Sequence, residues 1–171
     1  GKSTLVQNLA LAYNTNFVSE VGRDTCDYAG GEDFMNAEDL YENLLRQKIN
    51  VMDGLKRANR VLFVDTDAIT TLFYAGFLLS DEAGRANCTR LARVINKISA
   101  WDLVLFLEPT VAFVQDGTRS EVIASDREAY SRRMKQLLDE NQVEYTCLSG
   151  GYYERFVQAK ELLAQIGLTT I

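Results

Sequence analysis

Two short runs of apolar residues restrict the fold of this chain more than any other feature. Residues 61–64 (VLFV) and 103–107 (LVLFL) contain no polar side chain, and an acidic residue follows each run directly. Strands of this composition are typically buried on both faces, as in parallel sheets that are covered by helices. Helical patterns separate the two runs, so the sequence predicts an α/β fold with a parallel sheet and helices on both of its faces.

The remaining elements follow from the spacing of apolar residues, and together they predict a single domain over residues 1–171. Ser125 opens a stretch with capping-box spacing, which predicts the start of a helix there. Two further strands are predicted at residues 17–18 and 145–148. The predicted helices span residues 3–13, 37–58, 68–79, 85–98, 125–138 and 152–166.

Composition argues against several classes of function. The chain has no histidine, its three cysteines lie far apart without CxxC spacing, and its net charge is −6. These facts disfavour zinc sites, disulfide frameworks and imidazole-based catalysis. The acidic charge disfavours general binding to nucleic acid or anionic lipid, and no apolar run approaches the ~20 residues that a membrane span needs. We therefore expect a protein of the reducing cytoplasm.

The first residues of the chain match the end of a phosphate-binding loop. In the pattern GxxxxGK[ST], backbone N–H groups and the lysine hold phosphates, and the hydroxyl binds Mg²⁺. The first half of this pattern and its strand would precede Gly1, so we expect the native protein to be longer and to carry the first strand of the sheet there. The alternative is a polar cap on an ordinary amphipathic helix. The candidate nucleotide-binding residues are Gly1, Lys2, Ser3 and Thr4.

Asp65 strengthens the interpretation of this loop. It directly follows the apolar run at 61–64, where a strand would deliver a carboxylate beside the loop. Such a carboxylate holds Mg²⁺ directly or through water, so Ser3 and Asp65 are candidate metal ligands. The alternatives for Asp65 are a helix N-cap or a turn at the strand end. The guanine-reading motif is absent, because residues 96–99 (NKIS) lack its closing aspartate.

A small-molecule kinase also needs groups that hold the acceptor and stabilise the charge of the transferring phosphate. Glu20 and Arg23 follow the strand at 17–18, where they are candidates for binding sugar hydroxyls, or they form a surface ion pair. Asp67 lies two residues after Asp65, so the two carboxylates can divide the metal and acceptor roles. Thr70 and Thr71 could cap the next helix or line the pocket, and capping is the expected role. Arg119, in the polar loop QDGTRS, is the candidate arginine of a closing lid.

Five stretches of the chain match one known family in order and in similar spacing, and the resemblance covers nearly the whole chain. They are GKSTLVQNLALAYNT, SEVGRD, VLFVDTDAITT, FVQDGTRS and SGGYYERF. Together they resemble the ribosylnicotinamide kinase domain of NadR-type bifunctional proteins. The resemblance implies a P-loop, nucleoside-kinase-like fold that transfers the γ-phosphate of ATP to the 5′-hydroxyl of nicotinamide riboside, with ATP and Mg²⁺ as cofactors.

The resemblance also implies roles for particular residues. Lys2, Asp65 and Arg119 would act in catalysis. Glu20, Arg23 and Asp67 would face the riboside. In this family an adenylyltransferase domain often precedes the kinase. The sequence itself leaves the oligomeric state open, so an oligomer is possible. The loop on the adenine side would consist of Ser149, Gly150, Gly151 and Tyr152.

One position departs from the family pattern. Ser19 stands where an aromatic residue would precede the glutamate and stack on nicotinamide. Tyr28, Phe34 or Tyr41 are alternative rings, although each would more often belong to a core. Two other functions therefore stay open: a kinase of another nucleoside or small alcohol, and a regulatory module that senses ATP or NAD.

Overall fold

The computed structural model describes residues 1–112 and 125–170. Its strands are β1 (Phe17–Val18), β2 (Phe63–Val64), β3 (Leu105–Leu107) and β4 (Thr146–Leu148). A 3₁₀ turn at Glu32–Phe34 follows the second helix. The helices are α1 (Lys2–Ala12), α2 (Gly22–Ala29), α3 (Ala37–Arg57), α4 (Ala68–Leu78), α5 (Glu82–Ile98), α6 (Arg127–Glu140) and α7 (Tyr152–Gln165).

All of the described strands pair in parallel, as the sequence predicts. β1 pairs with β2, with Val18 opposite Val64, and β3 pairs with β4, with Phe106 opposite Cys147. Within the described residues these are two separate two-stranded sheets rather than one continuous sheet. Strands β2 and β3 are shorter than their apolar runs; Val61, for example, instead donates its N–H to the carbonyl of Asn59 at 2.8 Å.

Helices cover both faces of the β3–β4 sheet, which confirms the predicted α/β layering. Successive side chains on a strand point to opposite faces. Leu105 and Leu107 pack into an apolar cluster that also contains residues of α1 and α7. Phe106 packs into a second cluster, which contains residues of α3, α4, α5 and α6.

Helix α3 is the longest helix of the described residues and begins with a capping box. The Asn36 side chain accepts from the Asp39 N–H at 3.1 Å, and the Asp39 carboxylate accepts from the Asn36 N–H at 2.9 Å. The face of α3 that packs on the body carries Leu40, Leu44 and Val51, all buried. Three further apolar residues of α3 are exposed: Leu45, Met52 and Leu55.

Three local predictions are wrong. Helix α2 has no predicted counterpart, because only Thr25 and Cys26 are buried on it and no apolar stripe marks it. Helix α5 begins three residues before the prediction, because the Asp81 carboxylate caps it by accepting from the Gly84 N–H at 2.8 Å. Helix α6 is capped by Asp126 rather than by Ser125. Among the described residues no helix is both long enough and apolar enough to cross a bilayer.

Candidate functional site

The N-terminus of α1 has no side-chain cap, which suits it to an anion. Its N-cap is Gly1, which has no side chain, and its first turn contains no acidic residue. Lys2 and Thr4 are exposed there. Helices α2 and α7 also lack a side-chain cap, whereas α3, α4, α5 and α6 each begin with an Asn or Asp side chain that accepts from their first N–H groups. The first N–H groups and the positive dipole end of α1, together with the exposed Lys2, therefore favour a phosphate at this position.

Ser3 and Asp65 meet beside this helix end. The Ser3 hydroxyl donates to Oδ2 of Asp65 at 2.5 Å. Asp65 is only 2% exposed, and its Oδ1 has no hydrogen-bond partner. A buried carboxylate oxygen without a donor is costly, and a hard cation with oxygen ligands would satisfy it. The hydroxyl and the carboxylate therefore fit a Mg²⁺ ion that completes its shell with phosphate oxygens and water.

This donor set matches magnesium better than a metal held by a protein cage. No group of three or more Cys, Asp or Glu side chains comes together within residues 1–112 and 125–170. Magnesium keeps several waters and commonly takes one or two protein oxygens plus those of a nucleotide. The site is thus incomplete without a phosphate, and the uncapped end of α1 is where a phosphate would bind.

The residue after Asp65 adopts a strained conformation. Thr66 has φ 68°, in the left-handed region that a β-branched residue rarely adopts. Such strain is concentrated at ligand sites, where the surrounding structure holds it. The unusual backbone separates the two carboxylates: Asp65 contacts α1, whereas Asp67 begins α4.

Asp67 caps α4, a role the sequence analysis had assigned to Thr70 and Thr71. Its Oδ1 accepts from the N–H groups of Ile69 at 3.1 Å and of Thr70 at 3.2 Å. Burial raises the pKa of Asp67, and the hydrogen bonds from Thr70 and Ile69 partly oppose this shift. A carboxylate with a raised pKa is a better proton acceptor than an ordinary aspartate.

Gln47 connects the two strand ends and was missed by the sequence analysis. Its Oε1 accepts from the Val21 N–H at 3.2 Å, and its Nε2 donates to the Asp65 carbonyl at 3.0 Å. One amide thus fixes the loop after β1 to the turn after β2. A signal was present, because Gln47 follows Leu40 and Leu44 at helical spacing as a polar residue near the apolar face of α3.

The predicted acceptor residues lie at this same edge. The Asp65 N–H donates to the Val18 carbonyl at 2.8 Å, so the carboxyl ends of β1 and β2 are adjacent. Glu20 is half-buried just after β1, and its Oε1 lies 3.8 Å from where a Cβ on Gly22 would be. Arg23 is exposed in the first turn of α2. The structure thus brings Glu20 to the strand-end region that contains Asp65, with Arg23 on its exposed rim.

The loop before α7 is held in a fixed conformation. Gln158 contacts both backbone groups of Ser149, accepting from its N–H at 3.2 Å and donating to its carbonyl at 3.0 Å. Gly150 has φ 85°, which only glycine adopts without strain. Thr110 donates to the Gly150 carbonyl at 2.9 Å. Tyr152 presents a half-exposed ring at the start of α7.

Arg155 connects this loop to the N-terminus of α1. It is 4% exposed, and its Nη1 lies 3.3 Å from the position that a Cβ on Gly1 would take. Its Nη2 donates to the Glu108 carbonyl and, at 2.8 Å, to the Thr110 hydroxyl. Its Nε is buried without a partner, and burial lowers the pKa of this guanidinium.

Arg155 was also missed as a site residue. It lies four residues before Ala159, which is fully buried on α7, so a cation shares the apolar face of that helix. Like Gln47, Arg155 is a polar residue near the apolar face of its helix.

Arg119, the predicted lid arginine, lies outside the described residues.

Comparison with known proteins identifies the family. The AAA domain family matches residues 1–155. The chain belongs to the AAA domain family. It is 31% identical over 169 residues to the trifunctional NAD biosynthesis/regulator protein NadR of Salmonella typhimurium, and 30% identical to NadR of Escherichia coli. Each alignment covers 97% of this chain but 40% of the relative, so the chain spans two fifths of the length of these relatives.

Two solved structures share the fold of this AAA domain. The crystal structure of NadR protein in complex with NR matches with a TM-score of 0.86 at 24% identity, covering 100% of this chain and 50% of that one. The structure of NadR in complex with NAD and AMP-PNP matches with a TM-score of 0.82 at 22% identity, covering 100% of this chain and 47% of that one. The predicted P-loop fold and the resemblance to NadR are confirmed.

Two of the three alternative rings differ from expectation. Tyr28 is 93% exposed and Phe34 is 69% exposed, so neither belongs to the core. Tyr41 packs against the core, and its hydroxyl donates to the Gly84 carbonyl at 3.4 Å. Ser19 is exposed. Tyr28 and Phe34 are therefore the accessible rings among these three candidates.

Proposed function

We propose that this domain transfers the γ-phosphate of ATP to the 5′-hydroxyl of nicotinamide riboside, giving nicotinamide mononucleotide. The observation that carries the proposal is the contact between Ser3 and the buried Asp65 at the uncapped N-terminus of α1. This pair supplies a hydroxyl and an unsatisfied carboxylate oxygen where phosphates would bind. The similarity to NadR proteins supports nicotinamide riboside as the acceptor.

In this proposal the two sides of the site have separate tasks. Lys2 and the first N–H groups of α1 bind the β- and γ-phosphates, and Ser3 and Asp65 hold Mg²⁺. When bound, this ion neutralises phosphate charge and orients the transferring group. The adenine lies against the loop formed by Ser149, Gly150, Gly151 and Tyr152.

On the acceptor side, Asp67 accepts a hydrogen bond, and then the proton, from the 5′-hydroxyl. Its raised pKa suits this task, because proton transfer is most efficient when the pKa of the base approaches the working pH. Glu20 and Arg23 bind the ribose hydroxyls. Arg119 closes over the transferring phosphate from the lid.

Arg155 has a positioning role in this proposal. Its guanidinium lies beside Gly1 and is held at the end of β3 by the Glu108 carbonyl and the Thr110 hydroxyl. Its buried charge also raises the positive potential at the N-terminus of α1. Both effects place and strengthen the phosphate site without contact to the acceptor.

The direct test is phosphorylation of a panel of nucleosides by the complete protein with Mg-ATP, followed by mass spectrometry. We expect nicotinamide riboside to gain one phosphate faster than the other nucleosides. If another nucleoside reacts and nicotinamide riboside does not, the acceptor is wrong although the kinase assignment stands. The exposed Ser19 favours this second candidate, since no ring lies at that position for stacking on nicotinamide. Tight nucleotide binding without transfer to any acceptor would instead indicate a sensor.

The setting of the domain is also part of the proposal. We infer that it works in the cytoplasm as one domain of a longer protein, beside an adenylyltransferase domain that would use its product. The support is that the chain covers 40% of the length of the NadR relatives, whose name includes NAD biosynthesis.

A further inference from the structure

One face of α3 carries large apolar side chains that are exposed, because the helix packs on the rest of the domain through a different face. Leu45, Ile49 and Met52 are each half exposed, whereas Leu44 and Val51 on the opposite face are buried. The spacing of 45, 49 and 52 is that of the a and d positions of a coiled coil, so the three side chains form one continuous seam. Contiguous exposed apolar residues are a common feature of interaction surfaces.

The charged residues at the two ends of the seam have opposite signs. Seven residues span about two helical turns, so Glu42 and Lys56 lie on the same face as Ile49, one on each side of it. At present each pairs within its own helix, Glu42 with Arg46 at 2.6 Å and Lys56 with Asp53 at 2.8 Å. Exposed pairs of this kind contribute little, so an exchange of partners costs little.

We propose that this seam pairs two copies of the protein as antiparallel α3 helices about a two-fold axis at Ile49. In that arrangement Glu42 of each copy lies opposite Lys56 of the other, and the apolar residues meet between them. A parallel pair would instead set Glu42 against Glu42 and Lys56 against Lys56. The charges therefore select the antiparallel dimer.

A second copy fits the seam better than a lipid surface. Helices that lie on membranes carry mainly Lys and Arg on their polar face, whereas α3 begins with the acidic Glu38 and Asp39 and ends with the basic Lys56 and Arg57. The chain as a whole has a net charge of −6, which disfavours anionic lipid. The self-complementary charge pattern is what a two-fold interface requires.

The test is sedimentation equilibrium of the complete protein at micromolar concentrations. We expect a dimer, and we expect Ile49→Glu to weaken it by at least about tenfold, because two like charges would meet on the axis. The matched control is Val94→Glu on α5, since Val94 and Ile49 are both 56% exposed. The control should leave the dimer intact.

A charge exchange separates pairing from any effect on folding. Glu42→Lys alone and Lys56→Glu alone should each weaken the dimer, and the double variant should restore it, because opposite charges again face each other. A monomeric wild-type protein would overturn the proposal. So would a dimer that Ile49→Glu leaves unchanged, since the copies would then meet elsewhere or another domain would cover α3.

Discussion

Replacement of Asp65 by asparagine should raise the stability of the ligand-free protein and remove its function. Asp65 is 2% exposed, and only one of its two oxygens has a hydrogen-bond donor. The asparagine is nearly the same size, and its oxygen can still accept from the Ser3 hydroxyl. The substitution therefore removes a buried negative charge while it keeps the packing.

The size of the effect follows from opposing free energies. Burying a charged carboxylate destabilises the native state by several kcal/mol. One hydrogen bond to a charged group offsets about 1.5–3 kcal/mol of this cost. The asparagine also leaves an amide N–H without an acceptor, which costs about 1–3 kcal/mol. We expect a net gain of about 1–2 kcal/mol in the free energy of unfolding, which corresponds to a rise in Tm of about 2–8 °C.

Thermal unfolding should be followed with EDTA and then with saturating Mg²⁺ and AMP-PNP. A ligand at a hundredfold excess over its Kd stabilises the native state by about 2.7 kcal/mol, so the wild-type protein should overtake the variant once the ligand is added. Asp102→Asn, at an exposed position, is the control and should change neither measurement.

Two results would refute this reasoning. A lower Tm of the ligand-free Asp65→Asn protein would mean that the carboxylate is compensated in the native state. An equal increase in Tm of variant and wild type with the magnesium nucleotide would mean that Asp65 does not hold the metal.

Three further substitutions test the other parts of the site. Lys2→Ala should leave the Tm unchanged, because Lys2 is exposed. The same substitution should lower kcat/KM by about a hundredfold or more. Unfolding of this variant would indicate a structural role for Lys2. Asp67 has a raised pKa, so the rate of the wild-type enzyme should fall on acidification with a midpoint above about pH 3.9. The rate of Asp67→Asn should lack this acidic limb of the pH profile. An unchanged pH profile in the variant would exclude Asp67 as the base. Arg155→Lys should keep the positive charge but lose the paired N–H donors of the guanidinium. We expect the KM for ATP to rise more than kcat falls. Equal changes in KM and kcat would argue against a positioning role.

The framework of the site could be predicted from the sequence because it depends on strong local patterns. The apolar runs before Asp65 and Glu108 predict buried strands, and both form strands that pair in parallel with a neighbour, β2 with β1 and β3 with β4. The residues after Gly1 had helical periodicity. These features place Ser3 beside Asp65, and the structure shows them in contact.

The residues that support the site could not be predicted in the same way. Gln47 and Arg155 act through long-range contacts with backbone carbonyls, and the partners of such contacts depend on the tertiary fold. Each side chain is a polar exception near an apolar helix face, and periodicity alone does not say what it binds. Asp67 illustrates the same limit, because its role as the cap of α4 depends on the strained turn at Thr66.

The central claim is that a magnesium nucleotide binds between Lys2 and Asp65, and a crystal structure of the complete protein with Mg²⁺ and AMP-PNP tests it most directly. The account predicts phosphate oxygens on the N-terminal N–H groups of α1 and a magnesium ion about 2.1 Å from the Ser3 hydroxyl, with Asp65 bound to it directly or through water. A nucleotide bound elsewhere, with Ser3 and Asp65 still in contact only with each other, would contradict it.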